Sequence, residues 1–439
     1  HPNRGRRWGW SFFLFNRRLF LGHTEKTRTL GVQHSGQPQA QQEQQKVIFP
    51  AIKQHAMNSN EHYLDYNATA PLLPEVWEAM QTIQATSYGN PSSPHGPGRR
   101  ARNRLEEARR QLASLLGVEY QELCFTSGGS ESNNAILRQF LRADKPNHWI
   151  LSPLEHPSLL ETAQYLAEQG QATLDLLPVD RGGRVLPEAL PELIRPETCL
   201  ISVMGANNET GVIQPIAELQ AIASEHGIPL HTDSVQLLGR APLSWKELGV
   251  SYATATAHKL GGPRGIGLLY VREGAAFTPL ITGGKQERVR RAGTESVAWA
   301  VGFASALAWV LEQQPQLAER LQNFQQQVLE RLQTVEGFFL NGDPEKLLPN
   351  TLNVGFQGLS AETLLISLDL DGVAVSTGSA CSSGALEPSP VLLAMGLTPT
   401  EARSCLRLSW GWQTTQTDID ALLDRLPHHV QRLREKQNR

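Results

Sequence analysis

A lysine and an aspartate stand at the ends of two strand-like segments. Lys259 closes a run of small and β-branched residues that begins at Tyr252, and glycines follow it at once. Asp233 closes a second run of this kind, residues 228–233. Taken singly, such a lysine is usually a solvated loop residue and such an aspartate usually caps the next helix. Together they are what pyridoxal phosphate (PLP) requires, because the amine forms a Schiff base and the carboxylate keeps the pyridine nitrogen protonated.

Further polar residues follow other strand-like segments. The sequence Ser-Gly-Gly-Ser at 127–130, including Gly129 and Ser130, opens a predicted helix, and His156 and Asn208 follow the next segments. Glycines let backbone N–H groups approach an anion, and a helix N-terminus favours negative charge, so residues 127–130 are predicted to seat a phosphate. Such a loop alone is often only a turn. Because ligands of open α/β sheets bind beyond the carboxyl ends of the strands, we expect one common site.

Short apolar strands alternate with amphipathic helices from Tyr63 onward. Residues 99–116 are predicted to be helical by their apolar period, with Gly117 ending the helix and its six arginines forming a solvated face. Helices are also predicted at 130–140 and 216–226. Strands are predicted at 122–126, 148–152, 173–178, 199–204, 228–233, 252–256 and 266–271. This alternation predicts an α/β fold, a mostly parallel sheet with helices on both faces.

The pattern changes after Thr294. Residues 297–313 and 316–334 are predicted to form two long helices that meet at Pro315, followed by a smaller α+β unit with strands near 350–356 and 406–410. We therefore expect a large cofactor-binding domain at 73–315 and a small domain at 316–439. A segment at 57–72 is expected to join the small domain.

Composition is ordinary for a globular enzyme, with 40% hydrophobic residues, 19% charged residues and a net charge of −3. This charge gives no reason to expect nucleic acid or an anionic membrane as a partner. The sequence contains no run of about 18 apolar residues, so a membrane-spanning helix is not predicted. The four cysteines lie far apart without metal-ligand spacing, which predicts neither a metal site nor disulfides and favours a reducing, cytoplasmic location.

The first 56 residues contain nine Lys and Arg but two acidic residues, and the first methionine is Met57. An Arg-rich, acid-poor leader of this kind is compatible with organelle import. The interpretation that we favour is a disordered leader or upstream extension, with Met57 as the native start.

From Tyr63 onward the chain resembles the cysteine desulfurases of the NifS/IscS type, which form part of the class V aminotransferase branch of fold-type I PLP enzymes. The resemblance rests on motifs that occur in the family's order at residues 63–69, 89–93, 126–131, 155–157, 207–211, 231–233, 258–259, 283–288, 290–294, 376–384, 386–388 and 406–409.

The resemblance implies a role for each site residue. Lys259 would hold PLP, Asp233 would pair with its pyridinium nitrogen, and His156 would stack on its ring and move protons. The remaining implied contacts are with the phenolic oxygen (Gln236), with the phosphate (Gly129, Ser130, Thr256, His258 and, from a second subunit, Thr294) and with the substrate (Asn67, Asn208 and Arg407). The shared site implies a homodimer.

Cys381 lies in a segment of small and polar residues, 376–384, which is unlike a core. The resemblance implies that its thiolate attacks the sulfur of L-cysteine and becomes a persulfide while alanine leaves. The persulfide would then pass to an acceptor such as an iron–sulfur scaffold or a thiolation pathway. Cys124, Cys199 and Cys405 are predicted to be structural.

Two alternatives remain open at this point. A selenocysteine lyase or another class V aminotransferase would use the same Lys259, but a transaminase would not need Cys381. A non-catalytic interaction protein would not need the complete set of lysine, aspartate, histidine and cysteine.

Overall fold

The computed structural model describes residues 61–142, 144–378 and 387–438. The strands of this part, in chain order, are β1 (His62–Tyr63), β2 (Leu123–Thr126), β3 (His148–Leu151), β4 (Thr173–Leu176), β5 (Thr198–Ser202), β6 (Leu230–Asp233), β7 (Tyr252–Thr256), β8 (Gly267–Val271), β9 (Phe338–Asn341), β10 (Thr351–Phe356), β11 (Val373–Ala374) and β12 (Cys405–Ser409). The helices are α1 (Pro74–Thr86), α2 (Gly96–Leu116), α3 (Gly129–Gln139), α4 (Pro157–Glu168), α5 (Leu190–Leu193), α6 (Ile216–Glu225), α7 (Trp245–Leu248), α8 (Val297–Leu332), α9 (Ala361–Leu370), α10 (Pro390–Ala394), α11 (Pro399–Ala402) and α12 (Gln416–Gln437).

Seven strands form the central sheet, in the order β2-β8-β7-β6-β5-β3-β4. Strand β8 runs antiparallel to both of its neighbours, and the other pairs are parallel. Each of the seven strands predicted for this region is present, with bounds that differ by at most two residues. The predicted α/β class with a mostly parallel sheet is therefore confirmed.

A second, antiparallel sheet has the order β12-β10-β9, and β1 pairs in parallel with β11. The strands β10 and β12 were predicted, whereas β9, β1 and β11 were not. Strand β1 is the start of the segment that brings Asn67 to Lys259.

Helix α2 forms where its apolar period predicts it. It begins with Pro97 in its first turn, where a missing N–H has no cost, and it ends at Gly117 with the left-handed φ of 67°. The prediction of a wholly solvated arginine face is wrong at Arg109, which is 1% exposed. Its guanidinium bonds both carboxylate oxygens of Glu287, at 2.7 Å each. A partner 178 positions away is invisible to a helical period.

The two long helices predicted around Pro315 are one helix, α8, with the proline inside it. Proline disfavours a helix interior, but here both halves have an apolar core to cover. Phe303 and Leu307 pack in the core beneath the large sheet, and Phe324 and Val328 pack in the core beneath the antiparallel sheet. Burial on both sides outweighs the lost hydrogen bond. The division into domains at 73–315 and 316–439 stays a prediction.

None of the described helices is long and apolar enough to cross a membrane. Strands β6 and β7 are adjacent and parallel, so their carboxyl ends, Asp233 and Thr256, open at the same edge of the central sheet. That edge positions the candidate site.

Candidate active site

Lys259 lies in a short 3-10 turn, Ala257–Lys259, directly after β7. Its Nζ donates to the carbonyl oxygens of Asn67 at 2.5 Å and of Ala68 at 2.6 Å. Burial, together with nearby Arg240 and Arg407, lowers the pKa of Lys259 to about 7, and Asp65 and Asp233 oppose this shift. A large share of the amine is therefore neutral near pH 7, the form that attacks a carbonyl carbon.

Asp233 is 5% exposed at the end of β6. Its Oδ2 accepts from Asn133 Nδ2 at 2.8 Å, and its Oδ1 accepts from the backbone N–H of Val235 at 2.9 Å. Asn133 also donates to Ser158 Oγ at 2.9 Å, which connects the carboxylate to α4. These donors hold the carboxylate in one orientation.

His156 caps the N-terminus of α4. Its Nδ1 accepts from the backbone N–H of Ser158 at 3.1 Å, so the neutral imidazole carries its proton on Nε2. Burial lowers the pKa of His156; nearby Asp233 raises it and Lys259 lowers it. The ring is therefore neutral at physiological pH and available to exchange a proton.

A cavity of about 430 Å³ lies at the start of α3. It is lined by Ala68, Thr69, Ser127, Gly128, Gly129, Ser130, Glu131, Thr256, His258, Arg264 and Gly265. No side chain caps the helix at Gly128, so this end presents backbone N–H groups and the positive end of the helix dipole to the cavity. The structure thus brings together four of the predicted phosphate ligands, Gly129, Ser130, Thr256 and His258.

Thr256 and His258, which line this cavity, have hydrogen-bond partners within the protein. Thr256 Oγ1 donates to the carbonyl oxygen of Ile266 at 3.0 Å. His258 Nδ1 lies 3.2 Å from Thr69 Oγ1, and burial together with nearby Lys259 lowers the pKa of His258 to about 3. His258 is therefore a neutral hydrogen-bonding group. Arg264 is the exposed cation of the lining.

Gln236 is buried next to Lys259. Its Nε2 donates to the carbonyl oxygen of Asn67 at 3.1 Å, and its Oε1 accepts from Arg240 Nη1. Because an arginine can only donate, this contact fixes which end of the Gln236 amide is the donor.

The predicted substrate ligands lie on the small-sheet side of Lys259. Arg407, on β12, donates from Nη1 to the carbonyl oxygen of Asn208 at 3.2 Å and pairs through Nη2 with Asp65 at 2.7 Å. Its buried Nε has no partner in the described structure. The Asn67 side chain already donates two hydrogen bonds from Nδ2, to Thr351 Oγ1 at 2.9 Å and to the carbonyl oxygen of Asn208 at 3.1 Å. Substrate binding by the Asn67 side chain stays a prediction, since its backbone carbonyl is what reaches Lys259.

Two predicted residues are not brought to this site by the described structure. Cys381 lies in 379–386, outside the described residues. Thr294 is exposed in the segment that precedes α8. The cysteines that are described make poor nucleophiles, because burial raises the pKa of Cys124, of Cys199 and of Cys405, the last to about 12.

Sequence reasoning missed several functional residues. Thr69, Glu131 and Arg264 line the cavity at the start of α3, and Arg240 and Asn133 contact Gln236 and Asp233. Some of these residues could have been found from their spacing to a motif in the sequence. Asn133 lies one helical turn after Gly129, and Arg240 lies four residues after Gln236.

The residues fit PLP. The uncapped helix end matches an anionic phosphate, Asp233 matches a protonated ring nitrogen, and Lys259 is a reactive amine beside both. No group of three or more His, Cys, Asp or Glu residues in the described ranges has the arrangement of a metal site.

The comparisons with known proteins all find proteins of one family. The family model described as aminotransferase class-V matches residues 62–422. The cysteine desulfurase IscS of Dictyoglomus turgidum is 43% identical over 377 residues, covering 85% of this chain and 95% of the relative. A solved NifS-like protein superposes with a TM-score of 0.80 at 35% identity, over 84% of this chain and 99% of the other. SspA in complex with cysteine superposes with a TM-score of 0.72 at 33% identity, over 80% and 99% of the two chains.

Proposed function

This chain belongs to the cysteine desulfurases of the class-V aminotransferase family, which implies PLP as cofactor, and on that premise we propose the residues that perform the reaction. Lys259 is the cofactor lysine, Asp233 pairs with the ring nitrogen, and the α3 N-terminus with Thr256 and His258 holds the phosphate. The observation that carries this assignment is the position of Lys259. Its amine, with a pKa lowered to about 7, lies at the same sheet edge as the Asp233 carboxylate and the uncapped helix end.

When bound, PLP supplies an electron sink that stabilises negative charge at the α-carbon of an amino acid. Lys259 would take the α-proton of the substrate, which the neutral form of its amine permits. Asp233, fixed by Asn133 and Val235, keeps the ring nitrogen protonated. His156, neutral with its proton on Nε2, exchanges a proton with the substrate sulfur or with the attacking thiol.

L-cysteine is the substrate supported by the family and by the SspA structure with bound cysteine. Arg407 and Asn208 are proposed to hold its carboxylate. Arginine suits this role because its fork bonds both oxygens, and the free Nε of Arg407 leaves a donor available beside Asp65.

Cys381 is the proposed sulfur acceptor. Its thiolate attacks the substrate sulfur, a sulfur–sulfur bond forms and the carbon–sulfur bond of the substrate breaks. The carbon skeleton takes up protons and leaves as L-alanine, so that L-cysteine and one thiol give L-alanine and one persulfide. The sulfur then passes to an acceptor, for which an iron–sulfur scaffold or a thiolation pathway is proposed.

The experiment that tests this proposal measures alanine release from L-cysteine in the presence of a reducing thiol. Wild type is compared with Cys381→Ala and with Cys199→Ala, a matched control on β5 that lies away from Lys259. We expect Cys381→Ala to retain the PLP absorption band but to lose nearly all alanine release, while Cys199→Ala stays active. Equal release by the wild type and Cys381→Ala would instead favour the lyase or transaminase alternative.

A further inference from the structure

The cavity proposed to hold the phosphate contains a carboxylate. Glu131 lies in the first turn of α3 and is one of the residues lining the cavity. Its Oε2 accepts from the backbone N–H of Ser127 at 2.8 Å, which places its charge within the loop at 127–130. Two negative charges in one partly buried cavity repel each other, so an unpaired Glu131 would weaken phosphate binding.

Arg291 pairs with this carboxylate through two hydrogen bonds. Its Nε donates to Oε1 at 3.0 Å and its Nη2 donates to Oε2 at 3.2 Å. The side chains are 25% and 10% exposed, so water screens the pair little. Although burial acts to raise it, hydrogen bonds from Arg291 and Ser127 hold the pKa of Glu131 below its usual value. Glu131 is thus charged, and Arg291 neutralises it.

The segment that delivers Arg291 is strained. Glu287, Arg288 and Val289 have φ values of 45°, 56° and 67° in succession. Non-glycine residues are unfavourable in this left-handed region, so such a run persists only where its surroundings hold it.

The Glu287 carboxylate anchors this strained turn. It bonds both terminal nitrogens of Arg109 at 2.7 Å and accepts from the backbone N–H of Phe125 at 2.8 Å. The Arg109 and Glu287 side chains are each 2% exposed. Phe125 lies in β2, the strand that leads directly into Ser127. The strained turn and the phosphate cavity are therefore anchored on the same strand.

We propose that Arg291 is a positioning residue of the phosphate site: it neutralises Glu131 so that the α3 N-terminus accepts an anion, and the turn anchored by Glu287 places it there. The inference rests on the proposed PLP site. It assigns a role to a residue that makes no direct contact with the cofactor's reacting atoms.

The test compares affinities of the full chain, freed of PLP, for PLP and for pyridoxal, which lacks the phosphate. Absorbance titrations are made with wild type, Arg291→Met, Arg291→Lys, Glu131→Gln and the double variant Glu131→Gln/Arg291→Met. We expect Arg291→Met to weaken PLP binding about tenfold while leaving pyridoxal binding within about twofold of wild type. Glutamine at 131 still accepts from Ser127, so the double variant is expected to regain affinity to within about threefold of wild type. Arg291→Lys, which keeps the charge, is expected to bind nearly as wild type.

Each contrary outcome is informative. Unchanged PLP affinity in Arg291→Met would overturn the proposal, and so would an equal loss for PLP and pyridoxal, which indicates general damage to the site. A double variant as weak as Arg291→Met would exclude charge neutralisation as the cause. If Arg291→Met does not fold, the double variant and Arg291→Lys make the same distinction. A wild-type protein that binds neither compound would refute the proposed function itself, which is a separate result.

Discussion

The reactivity of Lys259 depends on the charges that surround its amine. Arg240 and Arg407 lower its pKa beyond the effect of burial, and Asp65 and Asp233 raise it. His156 and His258, both held neutral by burial, add hydrogen-bonding capacity but little charge. With a pKa of about 7, the fraction of neutral amine falls about tenfold per pH unit below this value.

Replacing Arg240 tests this balance. Arg240→Leu removes the cation with the largest effect on Lys259, so the pKa of Lys259 should rise and less of the amine should be neutral at pH 7. We expect an amine-reactive acylating reagent to modify Lys259 of the PLP-free protein at pH 7 about threefold more slowly, or slower still, than in wild type. Peptide mass spectrometry across a pH series measures this rate. Arg264→Leu is the matched control, since Arg264 acts on His258; an equal slowing in both variants would contradict the assignment to Arg240.

Asp233 is expected to be indispensable for turnover. In Asp233→Asn the side chain keeps its shape and its acceptor for Val235, but a neutral amide does not keep a ring nitrogen protonated. We expect alanine release to fall about a hundredfold or more, measured as kcat with L-cysteine. Asp369→Asn, on the exposed side of α9, is the control and should match the wild type. Full activity of Asp233→Asn would refute its proposed role.

For single residues, the sequence predicts those that end a strand, such as Lys259 and Asp233, because the local pattern of apolar residues shows where each strand ends. It does not predict their partners. Asn133 reaches Asp233 from another element, and Arg240 points back from a turn, so their roles depend on tertiary approach. A single arginine or asparagine in a sequence is most often a solvated residue, and nothing local distinguishes these two.

Among the elements, the turn Gln286–Val289 is anchored by the buried contacts of Glu287 with Arg109 and Phe125. Glu287→Gln leaves the buried Arg109 with Glu106, 3.3 Å from its Nε, as its remaining charged partner. Breaking a buried pair on one side typically costs about 3–5 kcal/mol, so we expect a clear fall in the free energy of unfolding. Urea unfolding followed by circular dichroism measures it.

The matched control is Glu107→Gln. Glu107 pairs with Arg104 on the same helix, but both side chains are more than half exposed, at 57% and 54%. Such a pair contributes about 0.5 kcal/mol or less. Similar decreases in the free energy of unfolding of the two variants would show that the buried Arg109–Glu287 pair stabilises the fold no more than an exposed pair.

The elements themselves follow from the sequence where the pattern is local. The strands of the central sheet differ from prediction by at most two residues, since apolar runs and turn residues delimit them. Pro315 wrongly predicts the end of a helix, because the length of α8 depends on two hydrophobic cores. One of these cores is formed by residues far from Pro315 in the sequence. The helix continues because Phe324 and Val328 are buried beyond the proline.

For the whole molecule, the homodimer and the cytoplasmic location stay predictions. The region before α8 is compatible with an interface between subunits. Leu280 and Ile281 are 39% and 37% exposed, and Val289 is 59% exposed, all within fifteen residues of Thr294. A contiguous exposed apolar patch is typical of a surface that a partner covers. We predict that a second copy binds here and contributes its own Thr294 to the proposed phosphate site.

Mixed dimers test whether the site is shared. Lys259→Ala removes the proposed cofactor lysine, and Thr294→Glu places a negative charge where the partner's phosphate is predicted to lie. Each variant alone is expected to release almost no alanine. In a mixed dimer, however, the subunit with intact Lys259 faces a partner with intact Thr294, so one of the two sites is complete.

Unfolding and refolding an equal mixture should therefore restore about a quarter of the wild-type activity, because half of the random dimers are mixed and each has one good site. Sedimentation of the same sample checks that the species is a dimer. No recovery, with mixed dimers demonstrated by mass, would mean that Thr294 serves its own subunit. A fully active monomer would exclude the shared site altogether.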